Sequence, residues 1–168
     1  MNKTKIAIVA GNNLKYTIME SPVGKLLLAG DDSGLQKIQF ENNIQIDKNW
    51  QKDDKHFTEA SKQLNEYFSG ERKQFDIKLN LQGTEFQKQA WQQLQKIEYG
   101  KTKFYAQVAE EMNRPKAARA VGLANNRNPI PIIIPCHRVI GKNGNLTGFA
   151  GGLDVKQQLL NLENSNKA

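Results

Sequence analysis

A single cysteine limits what this 168-residue chain can build. One thiol makes no internal disulfide and no multi-cysteine zinc site, so the fold must rest on packed side chains. Apolar residues make up 38% of the chain, enough for a modest core. The cysteine, Cys136, ends the run Asn128-Pro129-Ile130-Pro131-Ile132-Ile133-Ile134-Pro135. Proline fixes φ and withholds a backbone donor. The opening of this run therefore cannot be helical, and the chain is expected to reach Cys136 extended.

A lone thiol is either a small buried hydrophobe or a reactive group. Here His137 follows directly, and imidazole is the usual group that draws a proton from a thiol. Arg138 comes next, and its charge is expected to favour thiolate. His56 lies in the charged stretch Lys52-Asp53-Asp54-Lys55-His56 and reads as surface. With one Cys and two His, neither at ligand spacing, no metal site is expected.

The net charge is +7. Residues 1–79 carry 12 Lys and Arg against 11 Asp and Glu, whereas residues 80–168 carry 12 against 6. The excess sits on the half that holds Cys136. It implies either an anionic partner, nucleic acid being the commonest, or a solvated lysine surface. No apolar run approaches the roughly 18 residues that span a bilayer. The segment Lys5–Gly11 is too short for a signal-peptide core. An intracellular, cytoplasmic setting of prokaryotic type is expected, without membrane association.

The first half reads as strands joined by turns. Leu14–Ser21 alternates, Lys25–Ala29 is a short apolar run, and Leu35–Phe40 alternates after the turn cluster Gly30–Gly34. These predict an antiparallel meander. Phe57–Ser69 has helical spacing and stops at Gly70, and Phe75, Ile77 and Leu79 predict another strand. The composition shifts at Asn80–Gly83. Thr84 is placed to cap a helix bearing Phe86, Ala90, Trp91, Leu94 and Ile97, with Gly100 as its stop. Tyr105–Met112 and Lys116–Asn126 predict two short helices, with Pro115 starting the second. In a basic half, that pair suggests a helix-turn-helix. A hairpin-like turn at Gly141–Asn145 and a last helix over Leu153–Glu163 complete the chain, with frayed residues 164–168. The fold expected is α/β (α+β). Residues 1–79 form an antiparallel sheet with a helix, and residues 80–168 a mostly helical domain with the helix-turn-helix and Cys136.

The helix Lys116–Ala124 is built almost entirely of small residues. Such a helix packs tightly against protein, or lets its backbone approach the minor groove of DNA with Arg119 as the one long side chain. The minor groove is nearly blind to sequence, so such a protein acts at many sites. Glu163, in the last turn of its helix, opposes the helix dipole at a cost of a few tenths of a kcal/mol, roughly. That placement is either chance or serves to orient His137. Tyr105 is a polar aromatic at a helix start.

The segment Phe86–Glu163 resembles the catalytic domain of the O6-alkylguanine-DNA alkyltransferases. The matching stretches are Tyr99–Thr102, Lys116–Gly122, Asn128–Val139 with its Pro-Cys-His-Arg centre, and Gly148–Leu153. Ser21–Gly24 and Gly34-Leu35 resemble that family's N-terminal domain, a ribonuclease-H-like sheet. The resemblance implies a methylated-DNA–protein-cysteine methyltransferase that reacts once. Cys136 is the implied alkyl acceptor, and His137 takes its proton through a water while Glu163 holds the imidazole. Arg119 fills the base stack, with Ala118 beside it on the same helix. Tyr105 helps rotate the phosphate and protonates the departing guanine. Val139 and the Cys136 carbonyl hold the base, Ala150 lies beside it, and Asn128 shapes the turn. The implied partner is double-stranded DNA, met through the minor groove by a monomer. No cofactor is implied. O4-alkylthymine is a second implied substrate.

Other readings predict different behaviour. A non-enzymatic lesion-binding relative replaces the reactive Cys, which is present here. A Cys–His hydrolase turns over, and leaves the small-residue helix unexplained. A helix-turn-helix transcription factor needs a reading helix rich in Gln, Asn and Arg. One departure from the family concerns size. Some members carry a hydroxyl residue where this chain has Ala150, which leaves room for groups larger than methyl.

Overall fold

The computed structural model describes residues 13–144 and 146–167. The Lys5–Gly11 segment lies outside the described residues, as do Asn145 and Ala168. Three strands form the expected meander: β1 (Lys15–Met19), β2 (Leu26–Asp31) and β3 (Gly34–Phe40). β1 pairs antiparallel with β2, and β2 with β3. The β2–β3 connection is tight, with Asp31 Oδ1 accepting from Ser33 N at 2.9 Å. Gly34 follows at φ +137°, where a side chain would be strained. A fourth strand, β4 (Gln51–Lys52), adds parallel to β1, giving the order β3-β2-β1-β4. Its two polar residues carry no strand pattern. The pairing comes from Gln51 N and Asp53 N donating to the Leu14 and Tyr16 carbonyls.

Helix α1 (Thr58–Phe68) buries Ala60, Leu64 and Tyr67, and Gly70 follows it at φ +84°. The strand expected at Phe75–Leu79 does not form. The segment keeps one bridge, Leu35 with Leu79, and its side chains still alternate between half-buried and exposed. Its backbone bonds to Leu35 at the start of β3 and to the Gln63 side chain of α1, so a ladder has no strand to continue along.

Helix α2 (Glu85–Leu94) starts with the capping box of Thr84 and Gln87. It ends at Leu94, before Gly100, and Ile97 is buried from a turn. Strand β5 (Lys103–Phe104) precedes helix α3 (Tyr105–Glu111), and helix α4 (Ala118–Asn126) follows. Pro115 sits in a turn closed by Ala117 N to Arg114 O rather than at the helix start. Trp91 Nε1 donates to the Ala124 carbonyl at 2.8 Å and fixes α4 on α2. Strand β6 (Val139–Ile140) pairs parallel with β5. Gly141–Gly144 turns as expected, but among the described residues no second strand of a hairpin follows it. Helix α5 (Leu153–Asn166) runs three residues past Glu163, which leaves that carboxylate at the start of the last turn.

One apolar core joins both halves. Leu26, Leu28 and Ile38 of the sheet and Leu64 of α1 pack in the same cluster as Trp91, Val108, Val121, Ile130, Ile134, Cys136 and Leu159. The proline-rich segment docks on the edge of β3, where Ile38 N donates to the Pro129 carbonyl at 2.9 Å. The sheet therefore supports the floor on which Cys136 stands.

Candidate active site

The path from α4 to Cys136 is pinned by one side chain. Asn128 Oδ1 accepts from Ile130 N at 2.9 Å, and its Nδ2 donates to the Ile134 carbonyl at 2.8 Å. Ile134 N returns to the Ile130 carbonyl at 2.9 Å. These bonds close a tight loop in which Ile132 has φ +76°. A β-branched residue there stores on the order of 1–3 kcal/mol of strain, held by the burial of Ile130, Ile132 and Ile134. The loop delivers Cys136 into the short 3-10 turn Cys136–Arg138.

Cys136 is 4% exposed, and its thiol is pushed up to about 11, chiefly by burial. The bond to Asn128 and the charge of Lys156 work against that rise. At neutral pH the group is a thiol, and a base must take its proton.

His137 supplies the candidate base. Its Nε2 lies 2.6 Å from Glu163 Oε2, and both side chains are fully buried. An ionised carboxylate only accepts, so Nε2 carries the hydrogen and Nδ1 the lone pair. Nδ1 has no protein partner among the described residues. Glu163 gathers five donors: His137 Nε2, Tyr67 Oη at 2.7 Å, Gly100 N at 3.2 Å, Arg138 Nε at 2.8 Å and Arg138 Nη2 at 2.9 Å. Burial alone pushes this carboxyl up. The bonds from His137 and Arg138, with the charge of Arg138, outweigh burial and hold it far below the usual carboxylate range. Burial lowers the His137 pKa, so the imidazole is neutral beside an ion pair that Arg138 already balances.

Arg138 therefore does a different job from the one its place in the sequence suggests. Its guanidinium turns to Glu163 and to the Ile97 carbonyl at 2.6 Å, and stacks over Tyr99 at 5.7 Å. The positive charge bearing on Cys136 is Lys156, which sequence reasoning missed. Lys156 is fully buried, and its Nζ donates to the Val139 carbonyl at 2.8 Å and the Thr147 carbonyl at 3.2 Å. It lies three residues past the Gly148–Leu153 stretch, and its residue type gave no sign that it would be buried. Tyr67, 96 residues from Glu163, was equally hidden. Asn125 was missed as well, though it is buried with its Nδ2 3.4 Å from the Cys136 carbonyl.

The remaining expected residues fall in two places. Tyr105, Ala118 and Arg119 line one open cavity of about 460 Å³ with Gly122, Leu123, Asn126, Thr147 and Gly148. Tyr105 Oη and Thr147 Oγ1 are 2.5 Å apart. Arg119, Ala120, Leu123 and Asn126 form an exposed face on α4, with Leu123 57% exposed, and Arg127 is exposed just past its end. Val139 is buried next to Cys136, and its N–H donates to the Cys136 carbonyl. Ala150 is exposed on the loop after Thr147. His56 lies far along the chain from this cluster, 3.8 Å from Asp32 at the sheet turn. Among the described residues no group of three or more His, Cys, Asp or Glu is arranged to hold a metal ion. No helix among them is long and apolar enough to cross a membrane.

Residues 85–165 match the family model of the 6-O-methylguanine DNA methyltransferase DNA-binding domain, and residues 14–81 match the ribonuclease-like domain of the same family. The chain is 55% identical over 153 residues to a methylated-DNA–protein-cysteine methyltransferase of Methanosarcina acetivorans, spanning 89% of this chain and 98% of that one. It is 48% identical over 152 residues to a protein of the same name from Mycolicibacterium paratuberculosis, spanning 89% and 92%. The solved structure of Mycobacterium tuberculosis OGT in complex with DNA is similar at a TM-score of 0.86 and 47% identity, over 90% of this chain and 94% of that one. Matched in both halves and across nearly its whole length, the chain belongs to the 6-O-methylguanine DNA methyltransferase family.

Proposed function

We propose that this protein repairs DNA by taking O6-alkylguanine out of the duplex and moving the alkyl group onto Cys136 Sγ. The observation that carries the reading is the buried Cys136, His137 and Glu163 cluster, set in the same domain as an exposed, basic, small-residue helix. A buried thiol cannot reach an alkyl carbon inside a base stack, so the nucleotide must swing out. Unstacking costs a few kcal/mol. Arg119 offsets it by entering the stack from the minor groove, with Ala118 allowing the close approach.

In the chemical step His137 Nδ1 takes the Cys136 proton through a water, and Glu163 stabilises the imidazolium that forms. The sulfur attacks the alkyl carbon, the S–C bond forms and the C–O6 bond breaks. The electron pair goes to the guanine, which Tyr105 protonates as it leaves. Val139 and the Cys136 carbonyl hold the extruded base, and Ala150 borders it with a side chain small enough for groups beyond methyl. Asn128 fixes the turn that presents the thiol. The product is a thioether without a leaving group, so each molecule reacts once. The protein works as a monomer without a cofactor, and O4-alkylthymine is a secondary substrate. The supporting domain is residues 1–79 and the reactive domain residues 80–168.

The test is label transfer from a duplex carrying O6-[methyl-labelled]guanine. Label is expected to move to the protein and stay there after the DNA is digested. Cys136→Ser should bind the lesion duplex yet take no label. Label released into solution as methanol would instead indicate a hydrolase. No transfer from O6-butyl- or O6-benzylguanine to Cys136 would sink the size reading at Ala150.

A further inference from the structure

The N-terminal sheet reaches across to the loop that carries Ala150. At the end of β3 the buried Phe40 ring lies 5.3 Å from the Phe149 ring, tilted by 53°. The Gly151 backbone sits so close to the same ring that a Cβ there would meet Phe40 Cδ2 at 2.8 Å. Three residues further on, Asn43 Nδ2 donates to the Ala150 carbonyl at 2.5 Å, across 107 residues of sequence. Residues 40 and 43 thus hold three successive loop residues, 149, 150 and 151.

The donor stands on an anchored element. Asn43 closes the single 3-10 turn Glu41–Asn43, and Glu41 Oε1 accepts from Lys25 N at 2.8 Å. The upstream side of the loop is held as well, by Lys156 on the Thr147 carbonyl and by Tyr105 against the Thr147 hydroxyl. Fixing the Ala150 carbonyl fixes the peptide plane shared with Gly151. With Phe149 seated on Phe40, the backbone of Ala150 is suspended between two points that belong to the other half of the chain.

We infer that the N-terminal domain positions the base-bordering loop through Phe40 and Asn43, with Asn43 a positioning residue for alkyl transfer. This rests on the alkyltransferase reading above. A loop misplaced by about 1 Å costs a reaction 10- to 100-fold in rate when it sets the reacting geometry. Asn43 is exposed and carries no part of the core, so its loss should leave the fold intact.

The experiment measures single-turnover transfer from an O6-methylguanine duplex to the full chain, as a function of duplex concentration. Asn43→Ala and the isosteric Asn43→Asp, which lacks the donor, should both lower the saturating rate about tenfold. Melting temperature, affinity for undamaged duplex and the endpoint of one methyl per protein should not change. Gly151→Ala should slow transfer likewise, because its Cβ strikes Phe40. Adding Phe40→Leu to Gly151→Ala should return part of the rate. Asn43 variants that react at the parent's rate would overturn the inference, as would a loss that appears equally in affinity for undamaged DNA. A parent chain that takes up no methyl would contradict the alkyltransferase reading, and the inference with it.

Discussion

His137 and Glu163 meet 2.6 Å apart in the protein interior, and the carboxylate that receives the imidazole is itself clamped by two nitrogens of Arg138. The clamp fixes both the charge of Glu163 and the tautomer of His137. Glu163→Gln should remove both effects. An amide donates as well as accepts, so it leaves Arg138 buried without its counter-charge and turns the imidazole lone pair toward Nε2. We expect alkyl transfer to slow by about 100-fold or more, the contribution of a positioned general base. Unfolding free energy should fall by about 3–5 kcal/mol, the cost of breaking a buried ion pair from one side. Single-turnover kinetics and urea unfolding check the two effects separately.

The same cluster sets the acid limit of the fold. Burial holds His137 below its ordinary value of 6.5, and His137 and Arg138 hold Glu163 below its ordinary 4.5. The unfolded chain therefore binds protons that the folded chain refuses, at His137 as pH falls past 6.5 and at Glu163 below 4.5. The stability they contribute is complete above the higher of these values and is lost as pH falls. Urea midpoints should drop steadily from neutral pH into the acid range. A midpoint independent of pH across that range would contradict the assignment of a neutral, buried His137.

Cys136 should look inert to simple reagents. Its thiol stands at about 11 against an ordinary 9.0, so its thiolate fraction at neutral pH is about a hundredfold below that of a free cysteine. Iodoacetamide labelling of the folded chain at pH 7 to 8 should be at least that much slower than labelling of the urea-unfolded chain. Equal rates would mean that the thiol is not held as the structure shows it.

Arg119 lies on the exposed face of α4 and makes no core contact. Arg119→Ala should leave the melting temperature unchanged. It should slow transfer from duplex DNA by about 10- to 100-fold, because unstacking of a few kcal/mol goes uncompensated. Transfer from a free O6-benzylguanine base, which needs no extrusion, should hardly change. Comparing the two substrates separates extrusion from chemistry.

Asn128→Ala removes two buried bonds, to Ile130 N and the Ile134 carbonyl, around a strained Ile132. Each unsatisfied group costs about 1–3 kcal/mol, so the variant should lose roughly 2–4 kcal/mol of stability. Differential scanning calorimetry of parent and variant provides the check.

Short-range chemistry made much of this molecule legible from its sequence. The Thr84–Gln87 capping box, the Gly34 turn and the prolines before Cys136 each act within a few residues, and each shows in the pattern of residue types. Cys136 and His137 were visible for the same reason. Long-range partners were not. Tyr67 reaches Glu163 from 96 residues away, and Lys156 is buried only because it finds the Val139 and Thr147 carbonyls. Nothing in the local pattern distinguishes such a lysine from a solvated one. Arg138 was misread because its neighbour in sequence, Cys136, is not its partner in space. β4 and the lost strand at Phe75–Leu79 show the same thing for backbone. Two polar residues pair where a neighbour offers carbonyls, and an alternating segment fails to pair where none continues.

The central claim is that Cys136 is the acceptor and is consumed. Intact-protein mass measurement, after mixing with excess O6-methylguanine duplex, tests it most directly. The account predicts a gain of one methylene mass, localised to the Cys136 peptide, that stops at one per protein however much duplex is added. Loss of methyl from the DNA with no gain in protein mass, or a gain that maps away from Cys136, would contradict it.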